Sequence, residues 1–287
     1  MGPLINIPAT LESLGCAPSR VLKSAGFSLS LFQDPDLKVP YLDASKLLAH
    51  CAKATQCESF GLQLGMTVNP SYLGVIGFLL SVAPDVRTAL NTLTRYLNIH
   101  DSGGTVICDT RDTKAILGYT IKEPDAHAID QIYDLSIAVA CNIMRGLRGA
   151  EWHPDDVFFM RTPPRNRKPY QIFFQAPIHF NADINAIAFP ARLLSSPLSF
   201  SNTPLFEYLL KDAESQYRSQ NLSLTEQVQQ VLYQRVLMGD VRLGTIAGHL
   251  GMHERTLNRR LREQGTTFHK ELEQVKFTPV SYTHLRA

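Results

Sequence analysis

Residues 242–262 read RLGTIAGHLGMHERTLNRRLR, and their spacing is that of two short helices joined by a tight turn. Ile246 and Leu250 fall on the apolar face of the first helix, and Ala247 is small where a second helix crosses closely. Gly251 follows four residues after Ala247, where such a turn needs a positive φ, a region that glycine enters without steric cost. Met252, Leu257 and Leu261 then pin the second helix against the first. This leaves Arg255, Asn258, Arg259 and Arg262 facing outward. Arginine can pair with both acceptors on the guanine edge and asparagine with the adenine edge, so this face suits the major groove of double-stranded DNA. A helical hairpin with a merely solvated basic face is the alternative; the small–Gly–apolar spacing, combined with Arg and Asn, favours the helix-turn-helix.

The charge distribution points the same way. The chain has 287 residues with 28 Lys/Arg and 26 Asp/Glu, a formal net charge of +2. Residues 1–200 hold 17 basic and 17 acidic side chains, whereas residues 201–287 hold 11 and 9, so the whole excess lies in the latter part. Within it, HERTLNRRLR (253–262) sets four arginines against Glu254. The length suits two domains with a core each, and 44% hydrophobic content at low net charge excludes a disordered chain. Scattered glycine and proline exclude a collagen-like or low-complexity chain.

Five widely spaced cysteines without a C-x-x-C pair exclude a disulfide scaffold and suit reduced, mostly buried thiols in a cytoplasmic protein. The first thirty residues carry Glu12, Arg20 and Lys23 and lack the apolar run of a signal peptide. Residues 59–84 are uncharged, but their apolar block, 73–83, is too short to span a bilayer and reads as a buried helix. No membrane partner is expected.

Upstream, Asp43 can cap a helix to about Thr55 that buries Leu47, Leu48, Cys51 and Ala52. Asp85 opens a second amphipathic helix with Val86, Leu90, Leu93 and Leu97 inward. Residues 103–122 change to strand periodicity and form a hairpin turning at Arg111-Asp112. A long helix over about 128–148 carries Ile129, Ile132, Leu135, Val139, Ile143 and Leu147, and Gly149 ends it. DDVFFMR reads as a strand, KPYQIFF as a short helix, and PIHFNADINAIAFP as a second hairpin turning at Ala182-Asp183. Strands mixed with helices make an α+β domain ending near Phe200. A turn-rich boundary (197–204) leads to a polar connector helix, and Ser223 with Glu226 forms a capping box for a helix to about Met238, with Val228, Val231, Leu232 and Val236 inward and Gly239 at its stop.

The stretch IAGHLGMHERTLNRRLREQGTTF, followed by KELEQV, resembles the first helix-turn-helix and linker-helix start of AraC-type transcription regulators. GLQLGMTVNPSYLGVIGFLLSVAPDVRTALNTLTRY and FFQAPIHFNADINAIAFPARLLSSPL resemble the arabinose-binding-like N-terminal domain of the same family. The resemblance covers roughly residues 8–276. It implies an α+β sensor and dimerisation domain over 1–200, a connector over 201–221, and an all-α helix-turn-helix domain over 222–277. It implies base contacts from Arg255, Asn258 and Arg259, and backbone contacts from Thr256, Arg260, Arg262 and Thr267. The implied partners are double-stranded DNA, an unidentified small-molecule effector, a second copy of the chain in a homodimer, and RNA polymerase if the protein activates transcription. No cofactor or metal is implied, and the expected location is the cytoplasm, at the nucleoid.

The sequence departs from the family pattern at two helix starts. His253 stands where the recognition helix usually has a Ser cap, and Arg242 replaces a polar cap of the first helix, although Asp240 can serve. Each change weakens a helix start by about 1 kcal/mol. Family members carry two helix-turn-helix units, whereas TPVSYTHLRA (278–287) neither continues the linker helix nor opens a second unit, and Pro279 would break that helix. The tail reads as non-native sequence on a truncated reader, which would bind DNA weakly or non-specifically.

Nothing assembles an enzyme. His249 and His253 straddle the turn, Asp125 and His127 read as cap and surface residues, Cys51 and Cys57 lack a histidine pair for zinc, and Trp152 reads as a packed aromatic. Gly103-Gly104 lacks the Lys-Ser/Thr of a phosphate loop. The expected function is a DNA-binding transcription regulator that couples ligand binding to promoter binding. The alternative is a ligand-binding or dimerising module whose reader does not recognise operators. No pocket residue is legible.

Overall fold

The computed structural model describes residues 2–34, 39–122, 128–219, 223–236 and 241–277. In chain order come α1 (Ile7–Ser13), α2 (Pro18–Ser24), α3 (Tyr41–Thr55), α4 (Phe60–Met66), α5 (Val75–Val82) and α6 (Val86–Tyr96). The hairpin β1 (Gly104–Arg111) and β2 (Lys114–Ile121) follows, then α7 (Ile129–Arg148), β3 (Asp156–Phe159), α8 (Lys168–Phe174), β4 (Ile178–Phe180) and β5 (Ala186–Pro190). The remainder is helical: α9 (Thr203–Ser219), α10 (Leu224–Val236), α11 (Leu243–His249), α12 (Glu254–Glu263) and α13 (Phe268–Phe277). The architecture is α+β followed by all-α.

Local chemistry explains most of the boundaries. The Asp85 carboxylate accepts from the Thr88 N–H at 2.7 Å and caps α6, whose Val86, Leu90 and Leu93 are buried. The β1–β2 turn passes through Asp112 at φ +49. Ser223 and Glu226 bond reciprocally, Ser223 N–H to Glu226 Oε2 at 2.7 Å and Glu226 N–H to Ser223 Oγ at 3.2 Å. In α10 Val228 and Leu232 are fully buried, with Val231 and Val236 packed beside them.

Three expectations need correction. The helix α3 is entered through Pro40, whose fixed φ suits a helix entrance, so Asp43 lies within the first turn beside Lys46 and is not the cap. Ile129, the first residue of α7, is 43% exposed and does not join the buried stripe. The segment 177–190 is not a hairpin. The sheet order is β1-β2-β5-β3-β4, with β4 parallel to β3 while β5 pairs antiparallel with both β3 and β2. A third strand thus separates two that are neighbours in sequence. Asn181 at φ +57 turns the chain, and the Ala182 N–H bonds to Phe159 O at 3.0 Å, carrying it across the end of β3.

The helix α7 organises the larger core. Ile132, Leu135, Val139 and Ile143 are buried, and α4 crosses it at very short range. A Cβ on Gly61 would lie 1.9 Å from Gln131 O, and one on Gly65 2.6 Å from Ala138 Cβ, so only glycine permits this crossing. Gln131 fastens it by accepting from Gly61 N–H at 2.7 Å and donating to Glu58 O at 2.8 Å. On another side of α7 the buried Asp134 carboxylate accepts from Arg161 Nη1 and Tyr170 Oη, both at 2.5 Å, while Arg161 also donates to Glu58 O at 3.2 Å. Burial pushes the Asp134 carboxyl up to about 7 against the pull of Arg161 and Tyr170.

The helix α9 packs on this core through buried Phe206 and Ala213. Trp152 meets Phe189 edge to face, with ring centroids 6.2 Å apart. Asp125, His127, Met238, Gly239, Asp240 and the tail 278–287 lie outside the described residues.

Candidate functional site

A second, separate core builds the helix-turn-helix. Ile246, Ala247, Leu257 and Leu261 are buried, and they meet Val228 and Leu232 of α10 and Leu272 and Val275 of α13. Leu250 and Met252 are half-buried against this cluster. After α11, Gly251 takes φ +64, and the Met252 N–H returns to Ala247 O at 2.9 Å, closing the turn beneath the small side chain. Arg242 enters α11 without a side-chain cap. His253 does cap α12, its Nδ1 accepting from the Arg255 N–H, but at 3.5 Å this is a long bond. Glu271, buried in the same domain, accepts from Gln229 Nε2 at 2.6 Å and from Thr266 Oγ1, tying α13 to α10.

On the outer side of α12, Arg255, Thr256, Asn258, Arg259 and Arg262 line one open hollow. Arg255, Arg259 and Arg262 are exposed; Thr256 and Asn258 are half-buried at its base. Arg260 and Thr267 lie outside the hollow, both exposed, and the Thr267 hydroxyl accepts from the Lys270 N–H at 3.3 Å at the entrance to α13. Arg259 Nη1 pairs with Glu263 Oε1 at 2.8 Å one turn on. The hollow is therefore a basic surface with an acidic side chain at each end, Glu254 and Glu263.

Sequence reasoning named no residue for a second feature, a cavity of about 670 Å³ in the larger domain. Its walls include Leu93 from α6, Leu117 from β2, and Ile132, Leu135, Val139 and Ile143 from α7. At one end Tyr119 Oη donates to Asp101 Oδ2 at 2.5 Å, the Gly103 N–H donates to Asp101 Oδ1 at 2.9 Å, and the Tyr41 and Tyr119 hydroxyls lie 3.4 Å apart. Gly103 and Gly104 make room for these rings, since a Cβ on either would fall about 2 Å from Tyr41 or Tyr119 atoms. Burial holds the Tyr119 hydroxyl well above its ordinary value and the His100 imidazole below its own, so both are neutral near pH 7.

The cavity also touches Gln216 of α9. The next residue, Tyr217, packs edge to face on Tyr96 at 5.7 Å and donates to Gln230 Oε1 of α10 at 3.1 Å. The helix α10 in turn packs against β1. The cavity wall and the second helical core are thus joined through α9.

A family model described as the arabinose-binding domain of AraC transcription regulators, N-terminal, matches residues 15–198. The chain belongs to this AraC family of transcription regulators. It is similar to the HTH-type transcriptional regulator VirS of Mycobacterium tuberculosis in two strains, CDC 1551 / Oshkosh and ATCC 25618 / H37Rv, at 24% identity over 92% of this chain and 78% of VirS in each case. In fold this AraC-family chain resembles the transcriptional regulator CdpR from Pseudomonas aeruginosa, with a TM-score of 0.51 at 19% identity, over 90% of this chain and 82% of CdpR. Among its described residues no helix is long and apolar enough to cross a membrane.

Proposed function

We propose that this AraC-family regulator recognises double-stranded DNA by laying α12 in the major groove, and that a small molecule in the 670 Å³ cavity biases that recognition. The observation that carries the reading is the joint presentation of Arg255, Asn258, Arg259 and Arg262 on one open face whose underside is buried. Arg255, Asn258 and Arg259 are assigned to base edges; Thr256, Arg260, Arg262 and Thr267 are assigned to phosphates. The contact from α9 to both cavity and α10 supports the coupling.

The test begins with DNA selected from a random pool by the full chain. Arg255→Ala and Asn258→Ala are each expected to lose about 1–3 kcal/mol at particular base positions. An equal loss over all sequences would place these residues on the backbone instead. A salt titration separates operator recognition from the competing reading, a ligand-binding module whose reader holds DNA only non-specifically.

Glu263 offers a second prediction. It pairs with Arg259 and adds negative charge to the DNA-facing hollow. Glu263→Gln is expected to raise affinity for DNA at low salt, with the gain shrinking as salt is added. An affinity unchanged at every ionic strength would show that this end of α12 does not approach the phosphates.

The protein is further proposed to act as a homodimer, contacting RNA polymerase where it activates. Apolar side chains left exposed on or beside the packed pair α5 and α9 support self-association: Phe78 at 57%, Phe200 at 82% and Tyr208 at 71%.

A further inference from the structure

On the reading that this domain senses a small molecule, we infer that its ligand is uncharged and mainly apolar with a hydroxyl at one end, and that Asp101 bars carboxylates and phosphates. The cavity volume of about 670 Å³ lies within the range of drug-sized ligand sites. The larger part of its wall is aliphatic, from α6, β2 and α7, with polar side chains such as Ser45, Asn98, Ser136 and Gln216 set among them. A sugar buried there would set much of its hydroxylated surface against aliphatic side chains.

The polar end sets the charge rule. Among the described residues lining the cavity, Asp101 is the one carboxylate, and no lysine or arginine accompanies it. The nearby Lys122 senses Asp101 but does not line the cavity, and burial lowers its affinity for a proton. The Gly103 N–H and the Tyr119 hydroxyl both donate to the Asp101 carboxylate. An anion brought against this group in a largely apolar site meets a like charge, and the described lining residues include no lysine or arginine to offset it. A ligand hydroxyl, in contrast, can donate to the Asp101 carboxylate or engage the Tyr41–Tyr119 pair.

The test uses the full chain and three probes: 1-octanol, octanoate and L-arabinose. Thermal shift gives the ranking and calorimetry the dissociation constants. The expected result is a rise in melting temperature with 1-octanol, binding of octanoate at least about tenfold weaker, and no shift with L-arabinose. In Asp101→Asn the gap between octanol and octanoate is expected to narrow. Octanoate binding as well as octanol to the wild type, a shift with arabinose alone, or no shift with any probe would each overturn the assignment. So would an unchanged gap in a folded Asp101→Asn protein. If that variant fails to fold, Tyr41→Phe, which removes one hydroxyl from the same end, is expected to weaken octanol more than octanoate, and the opposite order overturns the proposal. None of these measurements contains DNA, so failure of the DNA reading leaves them interpretable.

Discussion

Asp134→Ala is expected to lower the unfolding free energy by about 3–5 kcal/mol. The carboxylate is fully buried, and its removal leaves the Arg161 side chain, only 9% exposed, with a charge facing the protein interior. The Tyr170 hydroxyl also loses its acceptor at 2.5 Å. Asp130, at 3.8 Å from Arg161 Nε and itself half exposed, is a weak replacement. Chemical denaturation measures the loss; a change below 1 kcal/mol would mean that Arg161 escapes to solvent. The same group sets a pH dependence. Its carboxyl is raised in the folded protein to about 7 from an ordinary value near 4, so the folded state binds the proton more tightly. This contribution to stability is complete below about pH 4 and is lost as pH rises through about 7. Asp134→Asn is expected to flatten that part of the stability profile, and an unaltered profile would assign the slope to other groups.

The second large effect is expected from Leu257→Ala. Leu257 is completely buried in the small core that joins α10, α11, α12 and α13. Truncating a buried leucine costs about 2–5 kcal/mol, comparable with the whole stability of so small a unit. The variant should therefore lose DNA binding because its reader unfolds, while the larger domain persists. Hydrogen exchange resolves the two: amides of α10–α13 lose protection and those of α4 and α7 keep it. Arg255→Ala should show the opposite pattern, with protection kept and base preference changed. Undiminished DNA binding by Leu257→Ala would separate α12 from the DNA contact.

These two sites differ in how far the sequence discloses them. The helix-turn-helix is local: Ala247, Gly251 and Leu257 fall within eleven residues, and the turn geometry follows from spacing and one positive φ. The hairpin 104–121 and the capping of α6 by Asp85 are legible for the same reason. Asp134 and Arg161 are 27 positions apart and meet only through the packing of α7 against the segment after β3. The apolar stripe of α7 shows in the periodicity, yet no periodicity tells a stripe that fills a core from one that lines a cavity. The reading of 177–190 as a hairpin fails on a long-range fact, since β3 lies between two strands that local turn signals would pair.

The place of β5 bears on how the chain assembles. The centre of the sheet is its last strand in sequence, residues 186–190, and it alone joins the β1–β2 hairpin to the β3–β4 pair. Until β5 is synthesised, the growing chain carries two short ribbons with open edges and no hydrogen-bonded link between them. Closure then requires contacts spanning some seventy residues, from Ala115 to Phe189, the kind of late, distant pairing that slows folding. Nascent chains that stop before residue 186 leave both ribbons with edges open to pairing with other chains.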